Sequence, residues 1–283
     1  MKICRSIQSL HTELPAQAGK TTGFVPTMGF LHQGHLSLVR RCREENDLTV
    51  VSIFVNPAQF GPAEDLQQYP RDPEKDIALL EKENTDILFM PENDEMYQQP
   101  FRTYINVEGL DKMLCGQTRP GHFRGVATVV LKLFNLVCPA RAYFGQKDAQ
   151  QAIVIRQMIR DLHLPVQIRI LAIVRDSDGL ALSSRNVYLS PAERQAALSL
   201  PKSLQKAAVL VSSGVEESQV IRESMQKELD RDPLLATEYI SIVNLQDLQE
   251  IPVIEAGNTL IAAAVRAGRT RLIDNLLLGD LSC

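Results

Sequence analysis

Two histidines, His32 and His35, lie in the stretch of this sequence that is best suited to chemistry. The stretch begins at Val25 with strand-forming residues, contains glycines, and is followed by apolar residues at helical spacing. We therefore expect a strand-to-helix loop over 27–34, with His35 in the first helical turn. Such a helix N-terminus offers unpaired backbone N–H groups and a positive dipole end, and glycine lets the main chain approach an anion closely. Because imidazoles three residues apart share a helix face, the pattern predicts a phosphate-binding loop.

Four further groups of polar residues follow predicted strands or lie on predicted loops. Asn56 and Gln59 come after an apolar strand and could hydrogen-bond a small hydroxy acid, although a turn Asn and a surface Gln have the same appearance. The second group is Gly145-Gln146-Lys147-Asp148. Its glycine allows close backbone approach, its lysine could bind phosphate and its aspartate could bind ribose, but an adjacent Lys-Asp can also be only a surface ion pair. Ser183-Ser184-Arg185 could close over a triphosphate or simply cap a helix. Arg119 and His122 could meet phosphate or carboxylate, or cap the next helix.

The elements that must position these groups alternate between strand and helix. Such β-α alternation favours an α/β fold: a Rossmann-like, doubly wound parallel sheet with right-handed crossovers. A polar, turn-rich segment at 175–179 suggests a boundary between a first domain, 1–174, and a smaller α+β domain, 175–283. The predicted strands are 21–25, 48–55, 86–90, 103–107, 142–144, 166–174, 237–243 and 259–265, and the predicted helices are 3–18, 36–46, a helix from 72, 125–137, a helix after 148, 191–211 and 216–229. We expect a loop or flap over 91–120 and a basic turn over 266–271.

Composition excludes several functional classes. The net charge of −4 offers no general attraction to nucleic acid. The sequence has five cysteines, an odd number, and it contains no Cys-x-x-Cys pair. This pattern favours free thiols over a disulfide framework or a zinc site. No apolar run approaches the length of a membrane span, and the N-terminal residues lack the pattern of a signal peptide. We expect a cytoplasmic protein with no nucleic-acid or membrane partner.

Five blocks of sequence, in order, resemble the pantothenate synthetase family, the pantoate–β-alanine ligases of the His-x-Gly-His nucleotidyltransferase superfamily. The first is Pro-Thr-Met-Gly-Phe-Leu-His-Gln-Gly-His at 26–35. The others are 53–60, 119–126, 144–151 and 182–186, and the terminal segment 271–275 fits as well. The resemblance implies a two-step reaction: pantoate attacks the α-phosphate of ATP to form pantoyl adenylate and pyrophosphate, and the amine of β-alanine then displaces AMP to give pantothenate. It also implies Mg²⁺, without identifying its ligands, and a homodimer.

The resemblance also assigns roles to residues. It makes His35 the main catalytic residue, with charge stabilisation as its role, and it places the ribose at Gly145 and Asp148 and the adenine near Val174. The implied catalytic set is His32, His35, Lys147, Ser183 and Arg185. The implied ATP-binding set is Met28, Gly29, Phe30, Leu31, His32, Gln33, Gly34, His35, Gly145, Gln146, Lys147, Asp148, Val174, Leu182, Ser183, Ser184 and Arg185. The implied pantoate and β-alanine set is Gln59, Gln151, Asn56 and Met28.

Two positions depart from the family pattern: Gln146 stands where many members have Glu, and Gln33 where an acidic residue is common. Neither carries a proposed catalytic group. Three alternatives remain open. Another His-x-Gly-His adenylyltransferase would need an extra cationic pocket in place of Asn56 and Gln59. A tRNA-charging fragment fits the acidic charge balance poorly. A non-catalytic nucleotide-binding sensor would bind ATP without releasing pyrophosphate.

Overall fold

The computed structural model describes residues 1–14, 19–62 and 64–281. A six-stranded sheet with the order β1-β4-β3-β2-β5-β6 forms the larger part, and all its neighbouring strands are parallel. Its strands are β1 (Lys2–Cys4), β2 (Thr22–Thr27), β3 (Leu48–Ile53), β4 (Ile87–Phe89), β5 (Arg141–Gly145) and β6 (Gln167–Leu171). A separate antiparallel sheet has the order β7-β8-β9, formed by β7 (Leu235–Asn244), β8 (Asn258–Ala267) and β9 (Thr270–Gly279).

Helices cover both faces of the parallel sheet because successive strand residues point to opposite sides. Phe24 and Val50 pack in one core with α6 and α7, whereas Val25 and Val51 pack in another with α2 and α3. The predicted doubly wound fold is therefore confirmed. The helices are α1 (Ile7–Glu13), α2 (Gln33–Glu45), α3 (Pro73–Lys82), α4 (Asn93–Met96), α5 (Cys115–Thr118), α6 (His122–Val137), α7 (Ala149–Asp161), α8 (Pro191–Ala197), α9 (Ser199–Ser212) and α10 (Ser218–Leu229).

The winding direction changes between β2 and β5, which are neighbours in the sheet. β2 leads into α2 on one face, and β5 leads into α7 on the other. At such a switch point the connecting loops diverge and leave a crevice beyond the carboxyl ends of the strands, where α/β folds bind ligands. The loops after Thr27 and after Gly145 therefore open into the same crevice.

The antiparallel sheet packs helices α8 to α10 against one face, around Ile221, Met225 and Ile261. Its other face, with Leu260 and Ala262, joins the core of the larger sheet. The predicted small α+β unit is confirmed. The chain passes from the larger sheet to the smaller unit between β6 and α8, and residues 174 and 175 lie within this connecting segment. The domain boundary after residue 174 stays a prediction.

Several predicted elements differ from the structure. Lys2–Cys4 is a strand rather than the start of a helix, because these residues pair with β4 at the sheet edge. The helix expected over 3–18 is confined to Ile7–Glu13 within the described residues, and 15–18 lie outside them. The segment 103–107 is not a strand, since the Ile105 N–H donates to Thr128 Oγ1 instead of a neighbouring strand.

The remaining differences concern the C-terminal unit and the 91–120 segment. The helix expected over 191–211 is divided into α8 and α9. The expected basic turn 266–271 is short, because Arg266 belongs to β8 and Arg271 to β9, a strand that the sequence analysis did not predict. Glu238 accepts ion pairs from both arginines and so stabilises their cross-strand pairing. The 91–120 segment includes the short helices α4 and α5. Among the described residues, no helix is long and apolar enough to cross a bilayer.

Candidate functional site

The residues 28–32, here called the histidine loop, connect β2 to α2 at the switch point. After Thr27 the chain turns sharply, with Gly29 and Phe30 both in the left-handed region at φ +82° and +50°. A Cβ at residue 29 would lie 2.9 Å from Ile53 Cγ2 and 3.0 Å from Asp76 Oδ2, so this position requires glycine. The helix then begins at Gln33, and His35 lies in its first turn as predicted.

The two histidines cap the helix that they introduce. The Nδ1 atom of His32 accepts from the Gly34 N–H at 3.1 Å, and Nδ1 of His35 accepts from the His32 N–H at 3.3 Å. Their ring centroids are 4.0 Å apart. Because both Nδ1 atoms accept, each neutral ring carries its proton on Nε2. The loop therefore holds two neighbouring imidazoles in the tautomer that can donate through Nε2.

Burial and a nearby cation keep both imidazoles neutral. Burial first, and then the Lys147 ammonium, lower the pKa of His32 to about 4 against the opposing effect of Asp148. Burial also lowers the pKa of His35 well below its ordinary value, with contributions from His32 and Lys147. At neutral pH the pair consists of hydrogen-bond donors without net charge, and an arriving anion would favour their protonation.

The residues 146–148, here called the Lys147 turn, follow β5 on the opposite side of the switch point. Lys147 Nζ lies 3.2 Å from Asp148 Oδ2. Burial raises the pKa of the Asp148 carboxyl, but the Lys147 ammonium and Arg185 act against it, and the net result is a pKa below the usual range. The side-chain amide of Asn275 donates to the carbonyl oxygens of Gln146 and Lys147 at 3.0 and 3.1 Å. A residue of the small sheet thus holds the turn that presents the lysine.

The serine–arginine segment packs directly against the histidine loop. Ser184 Oγ donates to the Phe30 carbonyl at 3.3 Å, and Ser183 Oγ accepts from the Arg185 N–H at 3.3 Å. The Leu182 N–H donates to the Val174 carbonyl at 3.0 Å, which brings these two residues of the predicted ATP-binding set together. The structure therefore joins three of the predicted blocks, 26–35, 144–151 and 182–186, in one region.

Two arginines near this region are paired with neighbouring carboxylates. Arg185 makes two contacts of 2.8 Å with Asp65. Arg119 pairs with Glu64 at 2.5 Å and donates to His122 Nε2 at 3.0 Å. Burial first, and then Arg119, lower the pKa of His122 to about 4. Sequence patterns did not indicate these carboxylate partners.

Asn56 and Gln59 are buried just after β3, and Gln59 lies beside Met28. The amide of Asn56 donates to Gln59 Oε1 and the Gly125 carbonyl at 3.0 and 3.1 Å. Its oxygen accepts from the Tyr97 hydroxyl at 2.7 Å. Gln59 Nε2 lies 3.1 Å from Met28 Sδ. Asn56 is therefore committed to protein groups, whereas the amide end of Gln59 lies beside the first residue of the histidine loop.

A cavity of about 50 Å³ lies between the N-terminus of α7 and the small sheet. Lys147 and Gln151 line it from one side, and Arg271 and Tyr239 from the other. The neighbouring Gln150 was not predicted, yet it accepts from the Cys115 N–H and donates to the Leu110 and Met113 carbonyls, and so fixes the 91–120 segment against α7. Within the part of the chain that the structure describes, no three His, Cys, Asp or Glu side chains form a metal-binding group.

Comparisons with known proteins agree with this arrangement. A family model described as pantoate–β-alanine ligase matches residues 2–277. A pantothenate synthetase from Thermotoga petrophila is 54% identical over 99% of this chain and 100% of its own. The crystal structure of pantothenate synthetase from Thermus thermophilus matches with a TM-score of 0.94 and 45% identity, covering 99% of this chain and all of that one. The pantoate–β-alanine ligase of Francisella tularensis, solved with β-γ ATP and β-alanine, matches at a TM-score of 0.80 and 32% identity over 98% of this chain and 97% of its own.

These matches extend over nearly the whole chain, and they confirm the family that the ordered motifs predicted. On sequence and on fold alike, this chain belongs to the pantoate–β-alanine ligase family.

Proposed function

We propose that this chain uses ATP to join pantoate to β-alanine through a pantoyl adenylate, releasing pyrophosphate and then AMP. The observation that carries the proposal is the meeting of the histidine loop, the Lys147 turn and the Ser183–Arg185 segment at the switch point of the sheet. The Francisella relative was solved with β-γ ATP and β-alanine, which supports ATP and β-alanine as ligands here.

In the first step a carboxylate oxygen of pantoate attacks the α-phosphorus of ATP, and the bond to the bridging oxygen of pyrophosphate breaks. Such a displacement needs positioned positive charge and donors more than covalent help from the protein. His32 and His35 donate through Nε2, and Lys147 supplies a cation. His35 stabilises the charge that develops on the phosphate, and Ser183 and Arg185 bind the departing phosphates. The remaining residues of the predicted ATP-binding set form the walls of the nucleotide site.

Pantoate is proposed to lie between Gln59 and Gln151, against the backbone of Met28. The amide of Gln59 is held in one orientation by Asn56, so its nitrogen faces the histidine loop. This contact assigns to Asn56 an orienting role for Gln59. In the second step the amine of β-alanine attacks the acyl carbon, loses a proton and displaces AMP.

Mg²⁺ is proposed to enter with ATP as part of the substrate. Mg²⁺ keeps several waters and is commonly held through substrate phosphates and one or two carboxylates. The described residues fit this mode, since they offer one carboxylate beside Lys147, that of Asp148, but no three-residue metal group. Family resemblance also supports a homodimer that works in the cytoplasm with small-molecule substrates only. Light scattering of the purified protein tests the dimer.

The test is pyrophosphate release from ATP and Mg²⁺, measured with and without pantoate and β-alanine. We expect pyrophosphate only when pantoate is present, and AMP and pantothenate only when β-alanine is added. His35→Ala should lower the rate by about 100-fold or more because a preorganised donor is lost. His11→Ala, an exposed histidine on α1, is the matched control and should retain the full rate.

Two outcomes would contradict the proposal. ATP binding without pyrophosphate release in the presence of pantoate would favour the nucleotide-binding sensor. Pyrophosphate release that requires a phosphate-containing acceptor and ignores pantoate would favour another adenylyltransferase. Addition of EDTA should abolish the rate, and excess Mg²⁺ should restore it.

A further inference from the structure

One buried carboxylate holds the histidine loop although it belongs to a different element. Asp76, on α3, accepts the Phe30 N–H at 2.7 Å through one oxygen and the Leu31 N–H at 2.7 Å through the other. The residue is only 2% exposed. Asp76 is not among the residues proposed to contact ATP, pantoate or β-alanine.

The backbone around Asp76 explains why an anion is needed at this point. Gly29 and Phe30 are consecutive residues with positive φ, and the turn that they form directs the N–H groups of Phe30 and Leu31 toward the same carboxylate. Phe30 is a non-glycine residue at positive φ, a conformation that persists only when its surroundings enforce it. Asp76 on α3 accepts from the N–H groups of this turn, and Ser184 Oγ donates to the Phe30 carbonyl.

The peptides of Phe30 and Leu31 also determine the orientation of His32 and His35. His32 follows Leu31 directly, and the helix that carries His35 begins one residue later. A rotation of the Phe30 and Leu31 peptides would therefore move the capping contacts that set both imidazole tautomers. Catalytic groups lose effect steeply when they are misplaced by about an ångström.

We propose that Asp76 is a positioning residue for adenylation: its carboxylate fixes the left-handed turn from which His32 and His35 project into the site. The inference rests on the proposed function. It predicts that Asp76 changes the rate of the first chemical step without changing how pantoate binds.

The experiment uses the full chain without β-alanine, with ATP, Mg²⁺ and pantoate all saturating and in excess over the enzyme, and follows the first turnover of pyrophosphate by rapid quench. The amplitude reports the fraction of competent enzyme, and the rate constant reports the chemical step. Asp76→Asn replaces one acceptor by an amide donor that faces a backbone N–H. We expect a wild-type amplitude, a rate constant lower by about 10- to 100-fold, and a steady-state KM for pantoate within about threefold of wild type.

Asp72→Asn is the matched control because it removes the same charge from the same helix. Asp72 caps α3 by accepting the Lys75 N–H, and asparagine caps a helix equally well. This variant should keep the wild-type rate constant. Asp76→Glu keeps the charge and both acceptors but displaces them by one methylene, so its rate constant should fall between those of wild type and Asp76→Asn.

Three results would overturn the inference. A wild-type rate constant with a reduced amplitude in Asp76→Asn would assign Asp76 to folding alone. An equal loss in Asp72→Asn would assign the effect to charge. If Asp76→Asn does not fold, a wild-type rate constant in Asp76→Glu decides against the proposal. A wild-type protein that releases no pyrophosphate with pantoate would instead overturn the proposed function, and this inference with it.

Discussion

The side chain of Asn275 binds the backbone of Lys147, with its amide nitrogen 3.1 Å from the lysine carbonyl oxygen. Asn275 also exchanges hydrogen bonds with Gln146 and is 5% exposed. The small sheet therefore determines the position of a cation that belongs to the larger one.

Asn275→Ala should consequently weaken both stability and catalysis. Removing its buried hydrogen bonds should lower the free energy of unfolding by about 2 kcal/mol. The released turn should lower the rate of pantoate-dependent pyrophosphate formation by about 10-fold. Urea unfolding and initial rates check the two effects. Asn258→Ala, on the neighbouring strand β8, also loses side-chain hydrogen bonds and should be less stable but fully active. Full activity in Asn275→Ala would contradict the role of the contact.

His32 combines a structural and a chemical role that substitutions can separate. His32→Ala removes the cap of α2 and should cost about 1 kcal/mol of stability, while His32→Asn supplies another good N-cap and should recover most of it. Neither variant restores the Nε2 donor, so both should lose about 100-fold in pyrophosphate release. Thermal unfolding and rate measurements on the two proteins make the comparison. Recovery of activity in His32→Asn would show that capping is the only contribution of this residue.

The strands and helices that flank the crevice were predictable because their own residues encode them. Val50 and Val51 are buried on opposite faces, so their strand is apolar without interruption. β1 was missed because its partner, β4, is distant in sequence, whereas β9 pairs with the adjacent strand β8. In β9 the polar residues Asp274 and Asn275 interrupt the apolar pattern, and the structure accommodates them through Arg175 and Gln146.

The same distinction holds for the candidate site. The histidine loop and the Lys147 turn each follow a strand directly, so local sequence places both at the edge of the sheet. The groups that support them, Asp76 and Asn275, lie far away in sequence and carry no local pattern. Asp65 was likewise hidden, since an isolated acidic residue on a loop is usually solvated.

Protonation of the buried histidines should destabilise the fold in mild acid. His32 and His122 have folded-state pKa values of about 4, below the ordinary value of 6.5, and the pKa of His35 is also lowered. Between pH 6.5 and 4 the unfolded chain therefore binds protons that the folded chain does not. The stability that these neutral rings contribute is complete above pH 6.5 and is lost as pH falls, by about 1.4 kcal/mol per pH unit for each histidine.

Urea unfolding at pH 7.5 and 5.5 measures this loss, and His122→Gln isolates one of its sources. The variant should lose about 1 kcal/mol less than the wild type between the two pH values, because one titrating ring has been removed. Equal losses in both proteins would show that His122 is not neutral in the folded state.

Asp65 binds the side chain of Arg185, the residue that we propose to hold the triphosphate. The guanidinium makes two 2.8 Å contacts with this carboxylate, so a triphosphate must replace them before it gains the same cation. Asp65→Asn removes the charge of the competitor and should tighten the binding of a non-hydrolysable ATP analogue by about fivefold, measured by calorimetry with Mg²⁺ present. Asp161→Asn removes an equal charge from an exposed pair with Arg160 at the end of α7 and should leave the affinity unchanged. Weaker binding in Asp65→Asn would mean that Asp65 holds Arg185 in its phosphate-binding position, so that the ion pair prepares the site instead of blocking it.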